Sequence, residues 1–273
     1  MQLARACPPL GESGLMSLPI QLISTDFDGT LHADFESPPV PHDLQALIAD
    51  LQGRGAKWVI NTGRDLTSVM EGMARARLTV KPEYLVVVER DIHRLEGSHY
   101  VACTEWNQAC REAHEKLFQQ VQPDVARLTD WVGSRFRATV YEDDFSPFCL
   151  IAGNNEDADA IQVFLEEYCA GIPGLALVRN DVYARFSHED YNKGTALREI
   201  ARRLGVPRER VFAIGDHLND LPMLSGEFAG CVAAPANAVA AVKDLVLRQN
   251  GYLSHQPWGH GVARALEFFL KPA

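Results

Sequence analysis

The stretch PIQLISTDFDGT, residues 19–30, decides how the rest of the chain is read. Its first seven residues form a short apolar run of the kind that makes a strand buried on both faces, and the run ends at Asp26. In extended chain, residues two apart point the same way, so Asp26 and Asp28 are expected to share a side while Phe27 turns to the core. Gly29 permits a sharp exit. Two carboxylates that close repel each other unless a cation lies between them or one holds a proton. Taken alone, the segment reads equally well as a capped turn.

Working outward, apolar runs alternate with segments of helical period. A helix is expected over 41–54, with Leu44, Leu47, Ile48 and Leu51 at 3–4 spacing and Gly53 and Gly55 closing it. A strand follows at 57–61 (KWVIN), then a turn at Thr62-Gly63, a helix from Asp65 to about Ala76 and a strand at 84–88 (YLVVV). The same alternation resumes with a helix at 193–204, a strand at 211–214 and helices at 220–224 and 262–270. This order is that of an α/β protein with a parallel sheet. Between Glu89 and Tyr183 strands adjoin strands: a strand, a long helix (105–121), a hairpin pairing 136–141 with 148–152, a helix (156–169) and strands at 175–178 and 182–186. An α+β module inserted into the α/β one is the expected organisation, with 19–88 and 187–273 as the core and 89–186 as the insert. Residues 1–18 read as a poorly ordered leader, with Met16 a candidate true start.

The chain has 273 residues with 36 acidic against 26 Lys plus Arg, a net charge of −10. That balance argues against nucleic acid or an anionic membrane as partner, because nothing would offset phosphate repulsion. It does not exclude a small phosphorylated substrate, which meets only the field of its pocket. No apolar run approaches the ~18 residues of a membrane span. Six cysteines stand singly with no C-x-x-C pair, which reads as reduced thiols in a cytoplasmic protein.

A second acidic cluster, GDHLND at 215–220, also follows an apolar strand. If a helix begins there, Asp216, Asn219 and Asp220 face one way. Ligands of doubly wound sheets bind outside the carboxyl ends of the strands, so both clusters are expected to converge on one crevice. Four carboxylates in one place demand a hard cation, and oxygen ligands suit Mg²⁺. Thr62-Gly63 offers a hydroxyl and a free N–H to an anion, and Lys193, opening a helix, offers a compact positive charge. Singly, Thr62 is an ordinary helix cap and Lys193 an ordinary surface lysine; together they fit a phosphate beside a metal.

With these residues in order, the chain resembles the haloacid dehalogenase superfamily of phosphotransferases: DFDGT at 26–30, Thr62 of NTGR, Lys193 of NKGTAL, and GDHLND at 215–220. NKGTAL, the run Gly215 to Leu224, Asn237 and HGVARAL at 260–266 are similar to the Cof-type and sucrose-phosphatase-like branch. The resemblance implies a Rossmann-like core with the insert as a cap. It also implies a phosphatase in which Asp26 is the nucleophile and forms an aspartyl-phosphate, with Asp28 as general acid and then base. Thr62, Gly63, Lys193 and Asn219 would hold the phosphoryl group. Mg²⁺ would be bound by the Asp26 carboxylate, the Asp28 backbone carbonyl and Asp216, with Asp220 as an outer ligand. The expected substrate is a small phosphorylated metabolite, sugar-like; a phosphomutase and a non-catalytic phosphometabolite binder are the alternatives.

The chain departs from the pattern where many relatives carry Asn-Gly and it reads Glu89-Arg90-Asp91. Hinges are expected near Glu89 and Ser187, letting the cap gate water. Arg90, His93 and Arg185 read as surface salt bridges, with cap or hinge contacts the alternative. His188 and His217 read as loop histidines, and Trp106 and Phe118 as packing.

Overall fold

A computed structural model describes residues 18–271. The leader and the candidate start at Met16 lie outside the described residues, apart from Leu18, which is buried. Twelve strands are described: β1 (Leu22–Thr25), β2 (Lys57–Asn61), β3 (Tyr84–Val87), β4 (Asp91–Glu96), β5 (His99–Ala102), β6 (Ala138–Asp143), β7 (Ser146–Ala152), β8 (Leu175–Asn180), β9 (Tyr183–His188), β10 (Val211–Ile214), β11 (Cys231–Ala234) and β12 (Tyr252–Leu253). The α-helices are α1 (His42–Gly53), α2 (Leu66–Arg75), α3 (Thr104–Val121), α4 (Val125–Gly133), α5 (Asn155–Ala170), α6 (Lys193–Leu204), α7 (Ala240–Arg248) and α8 (Trp258–Leu270).

The strands form an eight-stranded sheet, ordered β12-β11-β10-β1-β2-β3-β4-β5, and a four-stranded one, ordered β6-β7-β9-β8. In the large sheet the first six strands are parallel and β4 and β5 antiparallel. The strands β1, β3 and β10 are buried at every position, which is why β3 and β10 read as continuous apolar runs and β1 carries only the small polar residues Ser24 and Thr25. One face is covered by Leu44, Ile48, Val69, Val262 and Leu266 of α1, α2 and α8. The other is covered by Leu197, Ile200, Val242 and Val246 of α6 and α7. Each such fully buried aliphatic side chain contributes about 1.5–3 kcal/mol. The chain is therefore an α/β protein with a Rossmann-like core and an inserted α+β cap. The cap has a core of its own, in which Phe148, Leu150 and Phe186 of the small sheet pack under Leu117, Leu128, Ile161 and Leu165 of α3, α4 and α5.

Several elements differ from expectation. The chain between β3 and α3 is a hairpin, β4–β5, that continues the large sheet past Val88, where a single strand was expected. The helix expected over 220–224 is instead a 3₁₀ turn at Leu218–Asp220 followed by irregular turns. Pro222 has no N–H to give, and the Asp220 side chain accepts the Asp216 and His217 N–H groups at 2.8 and 3.0 Å. The last helix begins at Trp258, four residues before Val262. The crossing from β3 into the insert bends through two consecutive left-handed residues, Val88 (φ 50) and Glu89 (φ 66).

Candidate active site

Asp26 follows β1, Thr62 follows β2 and Asp216 lies just past β10, so three adjacent parallel strands deliver them to one sheet edge. The chain runs from β1 towards β3 on one side and through β10 to β12 on the other, so the β1–β10 boundary is the switch point where such sheets take ligands. The Asp26 N–H donates to Ile214 O (3.0 Å) and the Thr62 N–H to Val86 O (2.9 Å), extending the ladders by one residue. Lys193 opens α6, which is capped by Asn192 and Thr195 in a reciprocal box, and its carbonyl accepts from Asn61 Nδ2 at 2.9 Å. The side chain is fully buried, and Nζ donates to Asp26 Oδ1 and Asp220 Oδ1, both at 2.6 Å.

Asp26, Asp216 and Asp220 each offer an oxygen within 4.8 Å of the others. Asp216 is held by Thr30 Oγ1 at 2.7 Å. Gly29 lies so close (φ +76) that a Cβ would sit 2.6 Å from Asp216 Oδ2. Three carboxyls around one lysine carry an excess of negative charge. Burial raises the pKa of Asp26 well above the usual range, and the Asp220 and Asp216 charges add to this against the opposing pull of Lys193. Burial, then Asp220, pushes Asp216 up to about 7. Burial disfavours the Lys193 charge, but Asp220, Asp26 and Glu89 outweigh it and raise its pKa. A divalent cation would relieve this excess, and the all-oxygen donor set fits Mg²⁺.

Asp28 does not join the trio. The chain leaves extended geometry at Phe27, and the Asp28 carboxylate instead receives Arg64 Nε and Nη2 at 2.7 and 2.6 Å. Burial works against ionisation there, but hydrogen bonds from His32 and Arg64 and the guanidinium charge bring its pKa down to about 2. Arg64 is fixed in turn: it lies over the Phe27 ring, 5.2 Å to the centroid, and Nη1 donates to Ser68 O at 3.3 Å. The 62–64 turn closes on itself, with Thr62 Oγ1 accepting the Arg64 N–H at 3.2 Å.

Gly63, Asn219 and Glu89 meet beside Lys193. Asn219 Nδ2 donates to Glu89 Oε1 at 2.9 Å, and a Cβ on Gly63 would stand 3.3 Å from the same oxygen. Glu89 Oε2 accepts from Arg185 Nη2 at 3.0 Å. Burial opposes the Glu89 charge, but Arg185, Lys193 and Asn219 more than offset this and lower its pKa. Arg185 also donates to Val88 O at 2.8 Å, tying β9 to the end of β3. The surface reading of two arginines is therefore corrected: Arg185 and Arg90 are 3% and 5% exposed. Arg90 donates to Phe145 O (2.8 Å) and Ser187 Oγ (3.4 Å) and makes no carboxylate contact at this site. His93 is half-buried, and the His217 ring accepts the Asp181 N–H at 3.2 Å. Trp106 packs as expected, donating Nε1 to Arg90 O.

Arg64, Thr30 and the Glu89–Arg185 pair were not singled out by spacing. Arg64 and Thr30 were within reach, since each ends a motif already quoted. Glu89 and Arg185 are 96 residues apart, and no local pattern joins them.

Residues 114–266 match the family described as haloacid dehalogenase-like hydrolase. YxeH of Bacillus subtilis, which bears a phosphatase name without a stated substrate, is 39% identical over 276 residues, covering 90% of this chain and 97% of that one. Phosphoglycolate phosphatase of Methanothrix thermoacetophila is 34% identical over 111 residues, 41% of this chain and 46% of its own. The chain spans less than half the length of two of the curated relatives it matches. Among solved structures, sucrose-phosphatase from Synechocystis sp. PCC6803, in complex with sucrose and phosphate, superposes with a TM-score of 0.69 at 17% identity. That match covers 92% of this chain and 98% of that one.

Proposed function

The chain belongs to the haloacid dehalogenase-like hydrolases, and with phosphatase-named relatives it falls among the phosphoric monoester hydrolases; we propose that it is a Mg²⁺-dependent phosphatase of a small, sugar-like phosphate monoester. The observation that supports this most is the grouping of Asp26, Asp216 and Asp220 around buried Lys193 at the β1–β10 switch point.

In this reading Thr62, the Gly63 N–H, Lys193 and Asn219 hold the phosphoryl oxygens. An Asp26 oxygen attacks phosphorus in line, the P–O ester bond breaks, and the leaving alkoxide takes a proton from Asp28. Water then attacks the aspartyl-phosphate, gives a proton to Asp28, and releases phosphate and the Asp26 carboxylate. Asp26 and Asp216, with the Asp28 carbonyl and Asp220 as a more distant ligand, would hold Mg²⁺, which supplies charge neutralisation at the phosphoryl oxygens when bound. Asp28 is ionised where Arg64 grips it, which suits the second step. The first step needs it to take up a proton and exchange Arg64 for the leaving oxygen.

The small sheet and its helices, flanked near Glu89 and Ser187, act in this reading as a cap over the site. In this reading the chain works in the cytoplasm, which the five free cysteines among the described residues support. No described helix is long and apolar enough to cross a membrane. The names of the relatives divide on substrate, one naming phosphoglycolate and one sucrose-phosphatase, so they do not choose it. Inorganic phosphate released from a panel of monoesters with Mg²⁺, and lost in Asp26→Asn with the circular dichroism spectrum unchanged, is the expected result. No release from p-nitrophenyl phosphate or any sugar phosphate would overturn the reading, and phosphate moved to a second hydroxyl would replace it with a mutase.

A further inference from the structure

Asn61, the last residue of β2, is fully buried and stands directly before Thr62. Its Nδ2 donates to Lys193 O at 2.9 Å, and a carbonyl only accepts, so the amide cannot turn over. Oδ1 is therefore left buried, with no partner among the described residues. An unmet buried acceptor costs more than one neutral hydrogen bond returns, so for stability alone Asn61 is a net loss. The bond is also surplus to the helix. Lys193 is the first residue of α6, where its carbonyl takes the helical N–H four residues on. The free N–H groups of that turn are already met by Asn192 Oδ1, which accepts from Gly194 and Thr195 at 2.9 and 3.1 Å.

What the bond does is join two elements. Packing seats the start of α6 against the segment after β10: a Cβ on Gly194 would stand 2.6 Å from the Phe228 ring and 2.7 Å from Pro222 O. Towards β2, the Asn61 amide is the one hydrogen bond that α6 makes among the described residues. Thr62 follows β2 and Lys193 opens α6, so this bond sets the spacing of two groups that hold phosphoryl oxygens in the reading above. The Nζ bond to Asp26 cannot keep that spacing through turnover, because the carboxylate loses its charge once it carries phosphate. The Asn61 bond ends on a main-chain carbonyl and is the same at every stage.

We propose that Asn61 is a positioning residue, which acts through the Lys193 main chain to hold that lysine in register with Thr62 and gives up stability to do so. This rests on the phosphatase reading above. Asn61→Leu keeps the branching of the side chain and removes both polar atoms. Its melting temperature in EDTA is expected to match or exceed that of the unaltered protein. With Mg²⁺, kcat for p-nitrophenyl phosphate is expected to fall at least about tenfold, and KM to stay within about threefold. Orthovanadate, which takes the five-coordinate geometry of phosphoryl transfer, serves as a probe that needs no turnover. By calorimetry it should bind at least about tenfold more weakly to the variant, while inorganic phosphate changes by less than about threefold. Should Asn61→Leu fail to fold, Asn61→Ala is expected to move the ratio of vanadate to phosphate affinity the same way. A melting temperature lowered by more than about 3 °C in Asn61→Leu, or a vanadate-to-phosphate ratio that neither variant moves, overturns the proposal. If the unaltered protein releases phosphate from no ester, yet binds vanadate and the variant weakens that binding selectively, the phosphatase reading falls and the positioning role stands. Failure of the unaltered protein to bind vanadate at millimolar concentration overturns both.

Discussion

Consider the protein stripped of divalent metal and titrated from pH 5 to pH 8. Asp216 has a pKa near 7 in the folded chain, against 3.8 for a free aspartyl side chain, because it is buried beside Asp220. The folded state therefore keeps a proton that the unfolded state has already lost. Stability falls wherever the folded chain binds more protons, here from about pH 4 up to about pH 7. Each pH unit of that window is worth about 1.4 kcal/mol, so between pH 5 and pH 7 the metal-free protein is expected to lose about 3 kcal/mol, shared with Asp26, whose pKa moves the same way. At about 2–4 °C per kcal/mol for a chain of this size, the melting temperature in EDTA should drop by about 10 °C. Mg²⁺ replaces the proton, so its stabilisation should be small at pH 5 and close to the full amount at pH 8. Differential scanning fluorimetry at both pH values, with EDTA or Mg²⁺, reads this directly, and Asp216→Asn should flatten the EDTA curve. A Mg²⁺ effect equal at the two pH values, or an EDTA curve unchanged by Asp216→Asn, would refute the electrostatic account of the site.

Replacing Lys193 with Met leaves Asp26 and Asp220 buried without their cation; the urea midpoint in EDTA should fall by the equivalent of about 3–5 kcal/mol. Arg64→Gln frees the Asp28 carboxylate, whose pKa should rise from about 2 towards its ordinary value. Since a depressed folded pKa stabilises above the unfolded value and is lost as pH falls, acid unfolding followed by circular dichroism should then start at a higher pH. The cost at neutral pH should stay below about 1 kcal/mol, because the Asp28 side chain is 41% exposed and screened. Gly29→Ala forces a Cβ into Asp216 at positive φ; it should cost about 1–3 kcal/mol and abolish most of the Mg²⁺-induced rise in melting temperature.

What could be read in the sequence follows from how many residues carry each signal. Strands β1, β2, β3 and β10 are buried along nearly their whole length, so each is a mostly apolar run, and the polar residue just past such a run marks the sheet edge. That is why Asp26, Thr62 and Asp216 were found, and the helix-opening Lys193 with them. Strand β12 has two residues and β11 is Cys-Val-Ala-Ala, too short or too small to stand out. The helix expected over 220–224 gives way to a 3₁₀ turn at 218–220 because the i, i+3, i+4 spacing of Asp216, Asn219 and Asp220 suits both, and only the side-chain bonds of Asp220 separate them. Asp28 was expected beside Asp26 by strand periodicity, which ceases to apply once the chain leaves extended geometry at Phe27. The burial of Arg90 and Arg185 depends on the insert folding back onto the end of β3, a contact between distant segments with no local trace.

The left-handed pair Val88 and Glu89 gives the connection between the two sheets a built-in bias. Ordinary dihedrals at these residues would recover about 1–3 kcal/mol apiece, so the crossing is loaded as it stands. It is braced on the core side by Val88 N–H on Arg64 O and Glu89 N–H on Thr62 O, both 2.9 Å, and on the other side by the Arg185 guanidinium. The 62–64 turn, proposed above to hold phosphate, is thus also the anchor of the loaded joint, so a ligand that tightens it stiffens the joint, and its departure loosens it.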